Sequence, residues 1–153
     1  MKIEIKGVEF NNKGAELMLH SIVQQLDSKF DKYQLVLSPG TLLPYEKRAK
    51  LGAWQKFSFK LLGIDWTGLG NLLPRFVVNQ LKHFGIVVEK DIVLVLDASG
   101  FAYGDKWEDK VLNQTVNQIK RLRKYQIPYV FLPQAFGPFT NGSNNKLMKE
   151  AVS

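Results

Sequence analysis

The sequence predicts an α/β domain, a Rossmann-like parallel sheet flanked by helices, and three observations carry that prediction. Residues 2–8 alternate charged and apolar side chains with the period of a strand, and apolar residues over 15–30 and 108–125 recur with the period of a helix. Residues 91–96, Asp-Ile-Val-Leu-Val-Leu, are nearly all apolar, as in a strand covered on both faces. Strands that alternate with helices build parallel sheets, because a parallel pair needs a crossover and a helix supplies it.

Taken in order, the first strand gives way after residue 8 to a polar loop. A helix follows in which Ala15, Met18, Leu19, Ile22, Val23, Leu26 and Phe30 share one face, opposite Glu16, His20, Gln24 and Asp27. Residues 34–38 form a short strand closed by Pro39-Gly40. Residues 71–84 read as a helix with Pro74 in its first turn and Gly85 as its C-cap. The strand at 91–96 is central. The helix at 108–125 turns Val111, Leu112, Val116, Ile119 and Leu122 inward, with Arg121, Arg123 and Lys124 near the negative end of its dipole. A strand at 129–132 ends in a Pro- and Gly-containing turn. After a turn at 141–144, residues 146–152 open a helix that the chain enters for only about two turns, so a longer parent protein is expected.

Composition removes several classes of function. The 153 residues are 45% hydrophobic and 23% charged, as in a folded globular domain rather than a disordered chain. Without cysteine there is no disulfide, thiolate metal site or thiol nucleophile. Residues 1–10 lack the basic and then apolar order of a secretory signal, which makes a cytoplasmic location the default. His20 and His83 neighbour no glycine loop and read as surface or capping residues, so neither a metal site nor a catalytic histidine is expected. The net charge is +7, and residues 41–90 hold eight Lys/Arg against three Asp/Glu. Nucleic acid is not expected as a partner.

Chemistry in an open parallel sheet gathers beyond the carboxyl ends of the strands, and three segments occupy such positions. Residues 9–16 deliver a polar loop into a helix N-terminus, with Glu9, Asn11, Asn12, Gly14 and Glu16 as candidate substrate-binding residues. The loop has neither the triple glycine of a dinucleotide site nor the Gly-Lys-Ser/Thr of a P-loop. Residues 97–105 follow the central strand. Here Asp97 and Asp105 are candidate catalytic carboxylates, able to accept a proton from a sugar hydroxyl or to hold it, and Ser99, Gly100 and Phe101 are candidate contacts. Residues 134–139 contribute Gln134 and Gly137. Each segment has a plain alternative as well, a helix cap for the first, loop and helix caps for the two carboxylates, and a strand-exit turn for the third.

These segments, Asn11-Asn12-Lys13-Gly14-Ala15-Glu16, the stretch 91–105 and Leu132-Pro133-Gln134-Ala135-Phe136-Gly137-Pro138-Phe139, resemble in order and spacing the N-terminal half of the polysaccharide pyruvyl transferase family. The last is the most specific. The likeness is weakest over 41–90, and Asp97-Ala98-Ser99-Gly100 stands where many members carry a glycine triplet. The resemblance implies two Rossmann-like domains facing across a cleft, as in GT-B glycosyltransferases, with residues 1–153 as the acceptor-side domain and the C-terminal donor domain outside this chain. It implies transfer of pyruvate from phosphoenolpyruvate, a co-substrate rather than a cofactor, as a ketal onto a sugar of a surface polysaccharide or its precursor. The acceptor partner is then a saccharide, free or lipid-linked. The isolated half is expected to be inactive. Two other readings stay open, a GT-B sugar-nucleotide glycosyltransferase half and a non-catalytic carbohydrate- or partner-binding module.

The basic middle carries its own expectation. If residues 51–62 are helical, Leu51, Trp54, Phe57, Leu61 and Leu62 span an arc of about 140° with Lys56 and Lys60 opposite, and Lys47, Arg48 and Lys50 precede it. Such a helix either lies on anionic lipid at the inner face of the membrane or, the commoner arrangement, covers the sheet.

Overall fold

A computed structural model describes residues 1–62, 64–104, 109–140 and 142–152. Its elements in chain order are β1 (Lys2–Lys6), α1 (Lys13–Lys29), β2 (Gln34–Leu37), α2 (Tyr45–Lys50), β3 (Trp54–Lys56), β4 (Lys60–Leu61), β5 (Ile64–Asp65), α3 (Arg75–His83), β6 (Ile86–Val87), β7 (Leu94–Asp97), α4 (Asp109–Arg123), β8 (Tyr129–Phe131) and α5 (Gly142–Val152), with 3-10 turns at Thr67–Leu72 and Glu89–Asp91. Six strands form one parallel sheet in the order β6-β3-β2-β1-β7-β8, and β4 pairs with β5 as a separate antiparallel hairpin. This is the α/β fold expected.

From β1 the chain steps one way through β2, β3 and β6, then resumes on the other side of β1 with β7 and β8. The order therefore reverses between β1 and β7. Right-handed crossovers put the helices of the two arms on opposite faces, and the cores divide accordingly. Ile3, Ile5, Leu35, Leu37 and Leu96 pack with Leu19 and Leu26 of α1, while Val36, Val87 and Val95 pack with Leu122 of α4. Period-two alternation sends neighbours to opposite faces, which is why Glu4 and Lys6 of β1 face α4. No helix among the described residues is long and apolar enough to cross a membrane.

Several expected elements are corrected. Residues 51–62 are not a helix: β3 and β4 occupy them and the short α2 precedes them, because Trp54 and Lys56 pair in register with the sheet through Val36 and Val87. Arg48 and Lys56, expected on a solvent or lipid face, are 4% exposed. The 71–84 helix begins only at Arg75, with Pro74 as its N-cap, because Asn71 belongs to the preceding 3-10 turn and accepts the Lys90 backbone N–H at 2.9 Å. The C-cap is Phe84 rather than Gly85, which follows it at φ +68° and donates its N–H to the Lys82 carbonyl at 3.0 Å. Val111 is exposed rather than inward. Thr115 and Gln118 are buried on α4 beside Leu112, Val116, Ile119 and Leu122. The final helix starts at Gly142, not Lys146, absorbing most of the expected turn.

Candidate functional site

Because β1, β7 and β8 are adjacent and parallel, the loops that follow them leave from one edge, beside the reversal of strand order. Gly7, at φ +77°, lies against Ser99 so closely that a Cβ there would stand 2.2 Å from the Ser99 Oγ and 2.4 Å from its N. The second and third loops join through a Tyr103–Phe136 bridge and a hydrogen bond from the Gly137 N–H to the Tyr103 carbonyl at 2.8 Å. A Cβ on Gly104 would meet the Gly137 carbonyl oxygen at 2.6 Å. Gly7→Ala is expected to lower stability by about 1–3 kcal/mol through backbone strain alone, with the Ser99 collision adding to it. A urea midpoint unchanged from wild type would remove this close approach from the account.

The first loop makes a helix start. Asn12 is the N-cap of α1, its Oδ1 accepting the Gly14 N–H at 2.9 Å and the Ala15 N–H at 3.4 Å. Glu16 pairs with Lys13 at 2.7 Å, and that hydrogen bond holds its carboxyl below the usual range. Glu9 is half-buried, and Asn11 and Gly14 are exposed.

The second loop is organised from below by Asp97, which is fully buried. One carboxylate oxygen accepts the Ser99 N–H at 2.9 Å; the other accepts the Tyr103 hydroxyl at 2.5 Å and the Tyr129 hydroxyl. Lys6, level with Asp97 across β1 and β7, donates to Thr115 Oγ1 at 2.7 Å and to the Tyr129 hydroxyl at 3.1 Å. Burial first pushes both phenols above their ordinary pKa, with Asp97 next for Tyr103, and the neighbouring Tyr103 and then Asp97 next for Tyr129. Tyr103 and Tyr129 therefore stay protonated donors at neutral pH. Above this anchor Ser99 and Gly100 are half-buried, Gly100 at φ +67°, and Phe101 is 74% exposed. From the third loop, the Gln134 Nε2 reaches the Asp97 carbonyl at 3.5 Å, and the bond between Gly137 and Pro138 is cis. Asp105 lies outside the described residues.

Sequence reasoning missed the ground beside these loops. Under the ends of β1, β2 and β3 a polar recess of about 180 Å³ is lined by Lys6, Ser38, Lys56, Ser58, Thr67 and Arg121, among others. Its floor is an ion network. Lys56 Nζ lies 2.9 Å from Glu4 and 3.3 Å from Glu89, all three nearly solvent-free. Arg121 grips both Glu89 oxygens at 2.9 and 3.0 Å and reaches Asp65 at 3.2 Å. Gln118 and Ser38 complete the Glu4 carboxylate at 3.3 and 3.4 Å. Burial opposes ionisation of Glu89, but the two cations outweigh it and leave its pKa below the ordinary carboxylate value. Polar Thr115 and Gln118 beside the apolar stripe of α4 were the available sign of it.

The match to known sequences starts at the residue that caps α1. The family described as Polysaccharide pyruvyl transferase matches residues 12–153, which takes in the first loop from Asn12 onward, the second and third loops, and every strand of the sheet but β1. No curated protein and no solved structure matches. A family match over nearly the whole chain, on loops that the fold brings to one edge, settles the affiliation: the chain belongs to the polysaccharide pyruvyl transferase family.

Proposed function

We propose that this chain is the acceptor-binding part of a polysaccharide pyruvyl transferase, holding a saccharide across the edge where the three loops meet. One observation carries the reading: in a chain of this family, loops 9–16, 97–105 and 134–139 leave adjacent parallel strands at the point where strand order reverses, the place where such sheets bind ligands. The chemistry of the edge suits a sugar. Ser99, Asn11 and Glu9 offer hydroxyl, amide and carboxylate groups, Phe101 offers a ring face, and the Gln134 Oε1 is buried without a hydrogen-bond partner among the described residues. Asp97, with both oxygens engaged, holds the second loop in place and is not the open base.

In the reaction the phosphoenolpyruvate methylene takes a proton and C2 becomes electrophilic. One sugar hydroxyl adds there and loses its proton, the bond from C2 to the phosphate oxygen breaks, and a second hydroxyl adds to C2 in its place, its proton leaving with the phosphate as the ketal closes. A second, facing domain supplies the cations for the donor's phosphate and carboxylate, so that catalysis arises from holding both reactants in place. The expected result is saccharide binding by this chain without phosphate release, and acceptor-dependent release from phosphoenolpyruvate once a matching donor domain is joined to it. Titration calorimetry with bacterial polysaccharide precursors and a phosphate assay measure the two. Acceptor-dependent release by the chain alone would place the donor site within these residues and overturn the division of labour.

A further inference from the structure

The polar recess under the ends of β1, β2 and β3 holds more than the ion network that floors it. Packing alone does not call for such a floor, because apolar residues of similar volume often replace a buried ion pair without loss. Two polar side chains from different elements line the space above it: Ser58, just past β3, and Gln114 of α4. Both residues are half-buried, and neither side chain has a hydrogen-bond partner among the described residues. Ser38, 3.4 Å from Glu4, and Thr67 add hydroxyls, and Pro39 adds an apolar wall. Arg121 runs across Gly68, where a Cβ would stand 2.8 Å from the Arg121 Cδ. Its guanidinium is thereby held at Glu89 and Asp65.

The chemistry of this lining selects a ligand. The cations Lys6, Lys56 and Arg121 are equalled in number by Glu4, Asp65 and Glu89, which leaves no surplus positive charge to draw a phosphate or a carboxylate. The recess offers donors and acceptors side by side, and a sugar hydroxyl uses both, since it donates one hydrogen bond and accepts others. Its volume of about 180 Å³ equals about six waters at roughly 30 Å³ each, room for one sugar ring and not for two. Lys6 lines the recess, and the next residue, Gly7, lies against Ser99 of the second loop, so recess and loop edge share a wall. We infer that the recess is a subsite for one uncharged sugar residue of the acceptor, with Ser58 and Gln114 as its specificity-determining contacts. This rests on the acceptor-binding reading and extends it from the loop edge to the α4 side of the sheet. Because the ion network already fixes the walls, a ring enters without having to order them, which lowers the cost of binding.

The test is proton-nitrogen correlation NMR of the chain titrated with the methyl glycosides of glucose, galactose and mannose, with inorganic phosphate and glucuronate as charged probes. A single ring is expected to bind with a Kd on the order of 1–10 mM. Shifts should gather at residues 38–39, 58, 67 and 114. Ser58→Ala and Gln114→Ala should each weaken binding about fivefold, and the two together at least about tenfold. Neither side chain holds another residue in place, so the melting midpoints of these variants should match wild type. Any of four results overturns the subsite: no methyl glycoside bound at about 50 mM, shifts confined to the three loops, undiminished binding by the folded variants, or phosphate or glucuronate bound more tightly than every neutral ring. Titration with bacterial polysaccharide precursors separates this from the acceptor reading. If precursors bind and single rings do not, the subsite alone falls; if rings bind in the recess and precursors do not bind, the loop edge is what falls.

Discussion

Asp97→Ala is expected to lower stability by about 3–5 kcal/mol and with it to abolish saccharide binding. The carboxylate is fully buried and accepts three hydrogen bonds, from the Ser99 N–H and the Tyr103 and Tyr129 hydroxyls. Removing it leaves two phenols and an amide without their acceptor and takes the negative charge from beside Lys6. Hydrogen bonds to a charged acceptor contribute about 1.5–3 kcal/mol each, and stranded buried donors cost more than the bonds themselves contribute. That loss is a large share of the roughly 5–15 kcal/mol that holds a domain folded. Asp97→Asn, which keeps one acceptor oxygen, should lose less. The phenols add an alkaline signature. Their folded pKa values are raised, so their contribution is full below the unfolded value of about 10 and falls as pH rises beyond it. Urea unfolding of wild type, Asp97→Ala and Asp97→Asn measures the ordering. An alanine variant as stable as wild type would mean that Asp97 does not anchor the loop.

A comparable loss is expected from Lys56→Met at neutral pH, again about 3–5 kcal/mol. Lys56 is the cation between Glu4 and Glu89. Arg121 remains for Glu89, but Glu4 keeps only Gln118 and Ser38, and a buried carboxylate without a counter-charge is strongly destabilising. Acid narrows the gap from both sides. In wild type the folded pKa of Glu89 is depressed, so its contribution is present above the unfolded value of about 4.3 and is lost as pH falls through the folded one. In the variant, acid neutralises the carboxylate that lost its partner. The difference in unfolding free energy between wild type and Lys56→Met should therefore be larger at pH 7 than near pH 4. Replacing Glu4 as well, in a Glu4→Met/Lys56→Met pair, should recover much of the loss, because an apolar pair of similar volume often stands in for a buried ion pair. A pH-independent difference, or no recovery, would show that Lys56 acts through packing alone.

Much of the fold was legible because apolar periodicity is a local property. The inward stripe of α1, the apolar run of β7 and the exit turn after β8 are each set by neighbours a few residues apart, and parallel pairing then put three loops at one edge. Residues 51–62 misled for a related reason. The spacing of Leu51, Trp54, Phe57, Leu61 and Leu62 satisfies a helix, yet the vacancy beside β2 made Trp54–Lys56 a strand, and sheet pairing overrode the local pattern.

The sequence by itself determined the α/β class, the doubly covered β7, the position of α1 after a polar loop and the family to which the loops belong, since these rest on residue type and short-range spacing. Tertiary structure alone decided which charges are interior. Glu4, Lys56, Glu89 and Arg121 are spread over more than a hundred residues and read singly as surface groups; they meet only because β1, β3, the turn after β6 and α4 converge. It decided the place of Asp97 as well. From sequence it was a candidate base at a strand end, but burial, with Tyr103 six residues on and Tyr129 thirty-two residues on, makes its carboxylate an acceptor already in use. Partners so far apart in the chain leave no periodic mark, and only the folded sheet brings them within hydrogen-bonding distance.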